Sequence, residues 1–245
     1  MEFTDAAIVL AVRPHGETGA ILEALTRDHG RHLGLVRGGA SRRAKPVLQP
    51  GNGVHLHWRA RLNEHLGSFT VEPVKARAGD LLESREALAG LNAFTAMASA
   101  ALPEREMHAP VFEAANVLLD AIQAADFAHW GALYVRWEAG LLEELGFGLD
   151  LTRCAATGAL ENLLYVSPRT GRAVSGEAGA PYRDRLLALP GFLLGSQNAA
   201  PDAADVAAGL KLTGHFLLER VLQPHGREMP PARLRLDALA IGESR

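Results

Sequence analysis

Apolar and polar residues alternate along much of the first 78 positions, and from about Asp80 the apolar ones recur every three to four residues. The clearest alternation is residues 53–61, with Val54, Leu56 and Trp58 on one face and His55, His57 and Arg59 on the other. Residues 5–13 read as a strand stopped by Pro14, which has no amide hydrogen. Residues 20–27 fit helix or strand; their short length and the flanking turns, His15–Gly19 and Asp28–Arg31, favour strand. Residues 32–37 and 66–77 complete a set of five, with Pro73 placing the end of the last at an edge. Five short strands with few long connections predict a small closed or nearly closed barrel, of which the oligonucleotide-binding (OB) barrel is one solution. Trp58, on the face of Val54 and Leu56, belongs to its core.

The later pattern predicts helices. Ser84 with Ala87 suggests an N-terminal cap for a helix through Leu88, Leu91, Phe94 and Met97, ending by Pro103. Pro110 opens a second, with Phe112, Ala115, Leu118, Leu119 and Ile122 on one face. Asp126 caps a third, whose stripe is Trp130, Leu133, Tyr134, Trp137, Leu141 and Leu145, with Gly146 and Gly148 as terminators. Such stripes are core before they are cofactor sites. Residues 147–200 lose the period and are rich in glycine; a short strand at 163–167 and a turn at 168–171 suggest a small irregular lobe. Helical spacing returns at 203–223, and the tail carries three prolines and Arg233-Leu234-Arg235-Leu236. The fold class is therefore α+β, a domain at 1–79 followed by a helical one at 80–245 with an insert at about 149–200.

Composition changes this picture in one respect. The chain holds 25 Lys and Arg against 28 Asp and Glu, but residues 1–78 hold 11 against 7, so the first third carries +4 and the rest −7. Six of the ten histidines also lie in that third. A polyanion site at one end is the physical reading. The apolar runs are too short and too broken by charge for a membrane span, and the start lacks the basic and apolar regions of a signal peptide; a cytoplasmic protein is expected. A single cysteine, Cys154, agrees with a reducing compartment.

Charge is densest at Arg37-Gly38-Gly39-Ala40-Ser41-Arg42-Arg43-Ala44-Lys45, where two glycines loosen the start of a basic loop. Arg37, Arg42, Arg43 and Lys45, with Arg13, Arg59 and Arg61 at strand ends, are the candidate phosphate ligands. Arginine's forked donors match phosphate oxygens; Trp58 and Phe69 are the rings that could stack bases, the core reading being preferred for Trp58. The plain alternative is a solvated loop. His55 and His57 on one strand face suit a metal only with further ligands, which the spacing does not supply. No phosphate-binding loop, dinucleotide fingerprint, nucleophile elbow or zinc-protease motif is present. An RNA-binding or translation-associated barrel protein, and a hydrolase or transferase using Cys154 or the histidines, are the competing classes.

The run Ile8-Val9-Leu10, Glu17, Leu25-Thr26, Gly30 and Val36-Arg37-Gly38-Gly39-Ala40 resembles the start of the RecO family of bacterial DNA repair and recombination mediators. Leu142, Leu145-Gly146-Phe147, Leu151-Thr152-Arg153-Cys154, Tyr165-Val166-Ser167-Pro168 and Arg227-Glu228-Met229-Pro230-Pro231-Ala232-Arg233 continue the likeness in order. The resemblance implies an OB barrel, a helical domain and a zinc-ribbon-like inserted lobe. It implies no enzymatic activity, binding of single- and double-stranded DNA, and annealing of complementary strands. The implied partners are RecR, the acidic C-terminal tail of single-stranded DNA-binding protein and, indirectly, RecA. Lys211 and Arg220 are candidates for holding such a tail. Zinc-bearing members have two Cys-x-x-Cys pairs; here Cys154 stands at the first position, Thr157 at the second, and Ser175 and Ala178 roughly where the later pair would fall. No metal and no cofactor are expected.

Overall fold

The computed structural model describes residues 1–62, 64–81, 84–195 and 200–242. Residues 82–83 of the expected helical onset and 196–199 of the expected insert lie outside them. Contact density divides the chain into two compact units, Met1–Gln123 and Ala124–Arg245.

The first unit opens with a closed barrel of β1 (Glu2–His15), β2 (Gly19–Thr26), β3 (Gly30–Val36), β4 (Gly53–Arg59) and β5 (Ser68–Lys75), in the order β1-β2-β3-β5-β4. β1 is long enough to pair twice, antiparallel to β4 through Glu2–Ile8 and to β2 through Ala7–His15. A register shift between Val9 and Ala11 lets it bend from one partner to the other. The strand does not stop at Pro14, as the sequence suggests. Pro14 pairs with Ala20 only, beyond the end of the β4 ladder, so one side of the strand is an edge where a missing amide hydrogen is tolerated. Ala7, Val9, Leu22, Ala24, Val54, Leu56, Trp58 and Phe69 fill the interior. Trp58 is core, as expected, and its indole N–H donates to the Leu66 carbonyl at 3.0 Å. Phe69 is 4% exposed, which removes it as a stacking platform for bases.

Three helices complete this unit: α1 (Ala78–Leu81), α2 (Arg85–Ala101) and α3 (Ala109–Ala124). The Ser84 hydroxyl caps α2, accepting from the Ala87 amide at 3.2 Å. α2 packs against β1, whose Ile8 and Leu10 are also buried. Arg77 ties barrel to helix: it donates to Asp120 Oδ1 at 2.8 Å, Asn116 Oδ1 at 3.0 Å and the Gly51 carbonyl at 3.3 Å. The connection after α2 crosses the far end of the β2–β3 hairpin. Arg31 donates to the Leu102 carbonyl, the Arg105 amide donates to the Arg31 carbonyl, and a Cβ on Gly30 would lie 1.9 Å from the Glu106 carbonyl oxygen. Only glycine, here at φ +69°, allows that approach.

The second unit holds α4 (Phe127–Glu144), β6 (Leu163–Val166), β7 (Ala173–Ser175), α5 (Gly176–Gly179), β8 (Leu187–Ala188), α6 (Ala203–Phe216) and α7 (Pro231–Ala240). Asp126 caps α4 by accepting from the His129 amide at 2.9 Å, and the chain leaves that helix through Gly146 at φ +82°. β6 is central in a three-stranded sheet, β7-β6-β8. α6 continues in wider turns through Leu217–Leu222. Its core contains an ion cluster that helical spacing does not reveal: Arg233 on α7 and Glu138 on α4, both fully buried, pair at 2.6 and 3.0 Å. Arg233 also donates to the Leu210 carbonyl at 2.8 Å and pairs with Asp237, while the Thr213 hydroxyl donates to Glu138. Burial opposes the charge on Arg233, but Glu138 overrides it and holds the guanidinium protonated. Among the described residues no helix is long and apolar enough to cross a membrane.

Candidate nucleic-acid interface

The barrel is closed weakly at one seam. β3 and β5 run parallel and pair only through Leu35 with Ser68 and Val36 with Phe69. Beyond Val36 the chain turns away into the basic segment, leaving β5 from Thr70 onward without a strand partner on that side. Between the two lies a groove of about 890 Å³. Val36, Val47, Leu48, Phe69 and Val71 supply its apolar lining; Arg37 and Arg43 come from the basic segment, and Arg59, Ser68 and Thr70 from the sheet.

The basic segment is more ordered than its two glycines suggest. Successive turns run along it, with the Ser41 amide donating to the Gly38 carbonyl, Lys45 to Ser41, and both Val47 and Leu48 to Ala44, each at 3.0 Å. The Ala40 amide donates to the Thr18 carbonyl, tying its start to the β1–β2 turn. Its end is held by Asn52, a buried residue whose side-chain amide donates to the Pro46 and Val47 carbonyls. The Asn52 side-chain Oδ1 accepts from the Arg77 and Ala78 amides at 2.9 and 3.0 Å. Leu48 is 3% exposed and plugs the barrel beneath. The cations are thus carried on a framed ridge.

All seven basic residues singled out in this unit are exposed, and their side chains make no hydrogen bond or ion pair with other described residues. They do not share one site. Arg37, Arg43 and Arg59 meet in the groove. Lys45 faces a smaller cavity of about 360 Å³ on the other flank of the ridge, with Val12, Pro14 and Ala20. Arg42 lines neither, Arg13 lies near the end of β1, and Arg61 follows β4. Sequence reasoning missed Ser68 and Thr70, whose hydroxyls complete the polar wall; neither charge nor periodicity marks them. It also missed Asn52. Three arginines lining one groove suit a chain that presents successive phosphates to it.

In the second unit Lys211 is exposed on α6. Arg220 is occupied locally: its guanidinium lies 4.5 Å from the Phe216 ring centroid and donates to the Arg169 carbonyl at 3.4 Å. Neither lines the two grooves described in this unit, which are bordered by Arg136 and Phe192 and by Leu160 and Leu163.

The lobe's cysteine sits at the start of a tight turn. The Gly158 amide donates back to the Cys154 carbonyl at 2.9 Å, and Gly158 has φ +77°. Cys154 Sγ accepts from the Ser175 amide at 3.2 Å. Burial raises the thiol pKa, but hydrogen bonds from Ser175 and Thr157 lower it further, to about 6. One sulfur flanked by two hydroxyls is not the thiolate and imidazole set that zinc takes. No group of three or more His, Cys, Asp or Glu gathers among the described residues.

Two family models together match most of the chain: Recombination protein O N terminal over residues 1–77 and Recombination protein O C terminal over 82–228. A relative from Caulobacter vibrioides (strain NA1000) is 55% identical over 241 residues, 98% of either chain. One from Phenylobacterium zucineum is 56% identical, covering 96% of this chain and 95% of its own. One from Rhodospirillum centenum is also 56% identical, covering 96% and 93%. All three are named DNA repair protein RecO.

Proposed function

The chain belongs to the RecO family of DNA repair and recombination proteins, and on that premise we propose that it is a non-enzymatic mediator that works by holding DNA strands. The carrying observation is the groove that Arg37, Arg43 and Arg59 line, with no side-chain hydrogen bond or ion pair to other described residues. Neutralising phosphates there releases counterions and lowers the repulsion between two strands brought side by side. The protein binds single- and double-stranded DNA and anneals complementary strands. With RecR it helps load RecA on DNA coated by single-stranded DNA-binding protein, acting in the cytoplasm. Residues 1–79 hold the nucleic acid. The acidic remainder, 80–245 with its insert at about 149–200, offers docking surfaces, and Lys211 and Arg220 receive the acidic tail of single-stranded DNA-binding protein.

The test is annealing of complementary oligonucleotides coated with single-stranded DNA-binding protein. Arg37→Glu/Arg43→Glu/Arg59→Glu is expected to abolish the acceleration that the natural protein gives. Unchanged acceleration by that variant would remove the groove from the mechanism.

A further inference from the structure

Arg59 lines the groove, and it is also the last of three exposed residues at alternate positions of β4. The other two are His55 and His57. Their register neighbours on the same outward face are Ala6, Thr4 and Glu2 of β1 and Glu72, Thr70 and Ser68 of β5. The charged groups facing the two imidazoles are therefore Glu2, whose carboxylate lies 3.8 Å from His57 Nε2, Glu72 opposite His55, and Arg59 itself. The Met1 ammonium, donating to the Ala60 carbonyl at 2.7 Å, adds a positive charge at the Arg59 end. With both imidazoles neutral these four charges cancel. With both protonated the face carries +2. Side chains two positions apart on a strand stand about 6.8 Å apart, a step that an extended sugar–phosphate backbone can follow.

We propose that the outward face of β4 continues the groove as a second contact for single-stranded DNA, with a grip set by the charge of His55 and His57. This rests on the reading of the groove as a DNA site. Imidazole is the side chain that ordinarily changes charge between pH 5 and 8, and a phosphate nearby favours its charged form. A strand leaving the groove past Arg59 thus draws protons onto the face that holds it. Contact and protonation reinforce each other, and loss of the two protons loosens the strand beyond Arg59.

The test measures binding of a fluorescent oligothymidylate by anisotropy at pH 5.5 and 8.0, at fixed ionic strength, for the natural protein and His55→Gln/His57→Gln. Two added phosphate contacts are expected to tighten binding of the natural protein by about tenfold at the lower pH. In the double variant that gain shrinks to under about twofold. His55→Lys/His57→Lys, with its charge fixed, binds with one affinity across the range. Calorimetry near pH 7 in buffers of different ionisation enthalpy shows proton uptake for the natural protein and none for the glutamine variant. An acid gain that persists in the glutamine variant would overturn the proposal, because His15, His29, His32 or His65 would then be its source. Binding that is tight but independent of pH would overturn it too, while leaving the groove as a DNA site. Absence of binding at both pH values would overturn the groove reading itself, and this inference with it.

Discussion

Two sets of arginines, one in each unit, are used in opposite ways. In the barrel unit Arg37, Arg43 and Arg59 are exposed, lie beside one groove and spend no donor on a protein acceptor among the described residues. In the second unit Arg233 is fully buried and gives its donors to Glu138, Asp237 and the Leu210 carbonyl. An exposed guanidinium is hydrated and contributes little to stability, so its charge is available to a ligand. A buried one must be matched group for group, and removing one partner strands the other in a medium that cannot solvate it. The difference assigns recognition to one set and integrity to the other.

Breaking the buried pair has the largest expected effect. Glu138→Ala should destabilise the second unit by about 3–5 kcal/mol, read as a lower urea midpoint. Reversing the groove charges, Arg37→Glu/Arg43→Glu/Arg59→Glu, should weaken binding to a single-stranded oligonucleotide by about a hundredfold with little change in that midpoint. If both variants lose stability equally, the contrast between the two sets of arginines is wrong. Asn52→Ala sits between the cases, because its amide frames the basic ridge from a buried position. It should cost about 2–3 kcal/mol, since buried carbonyl and amide groups lose their partners, and should weaken DNA binding without removing a charge.

The last effect concerns Cys154, and it shows only as a pH dependence. Its thiol pKa is lowered in the folded protein to about 6, below the ordinary thiol value. A depressed pKa contributes stability that is fully present above the unfolded value and is lost as pH falls through the folded one. Unfolding free energy should therefore rise between about pH 6 and pH 8.5, and Cys154→Ala should flatten that rise. An identical slope in the variant would show that the Ser175 and Thr157 hydrogen bonds do not stabilise a thiolate.

Much of the architecture was legible because it is local. The alternation at 53–61 is β4, and the caps at Ser84 and Asp126 are where residue type placed them. What was not legible depends on long-range contact. Glu138 and Arg233 stand 95 positions apart, and in sequence each looks like a solvated charge. α7 begins on the last of three prolines and carries alternating arginines, a pattern without a helical stripe. Pro14 is tolerated because the β1–β4 ladder stops at Ile8, which leaves one side of β1 unpaired there. In the candidate site, charge density pointed to the right segment but not to the division of its cations. Arg37 and Arg43 turn to the groove and Lys45 to the other flank because the segment winds in successive turns instead of running extended.

The central claim is that the groove cations hold phosphates, and salt dependence tests it most directly. The affinity for a single-stranded oligonucleotide would be measured from 50 to 300 mM salt for the natural protein and for Arg37→Ala/Arg43→Ala/Arg59→Ala. Each lost phosphate contact on a single strand should reduce the slope of log affinity against log salt by about 0.7, so the variant's slope should be shallower by about 2. Equal slopes for the two proteins would contradict the account.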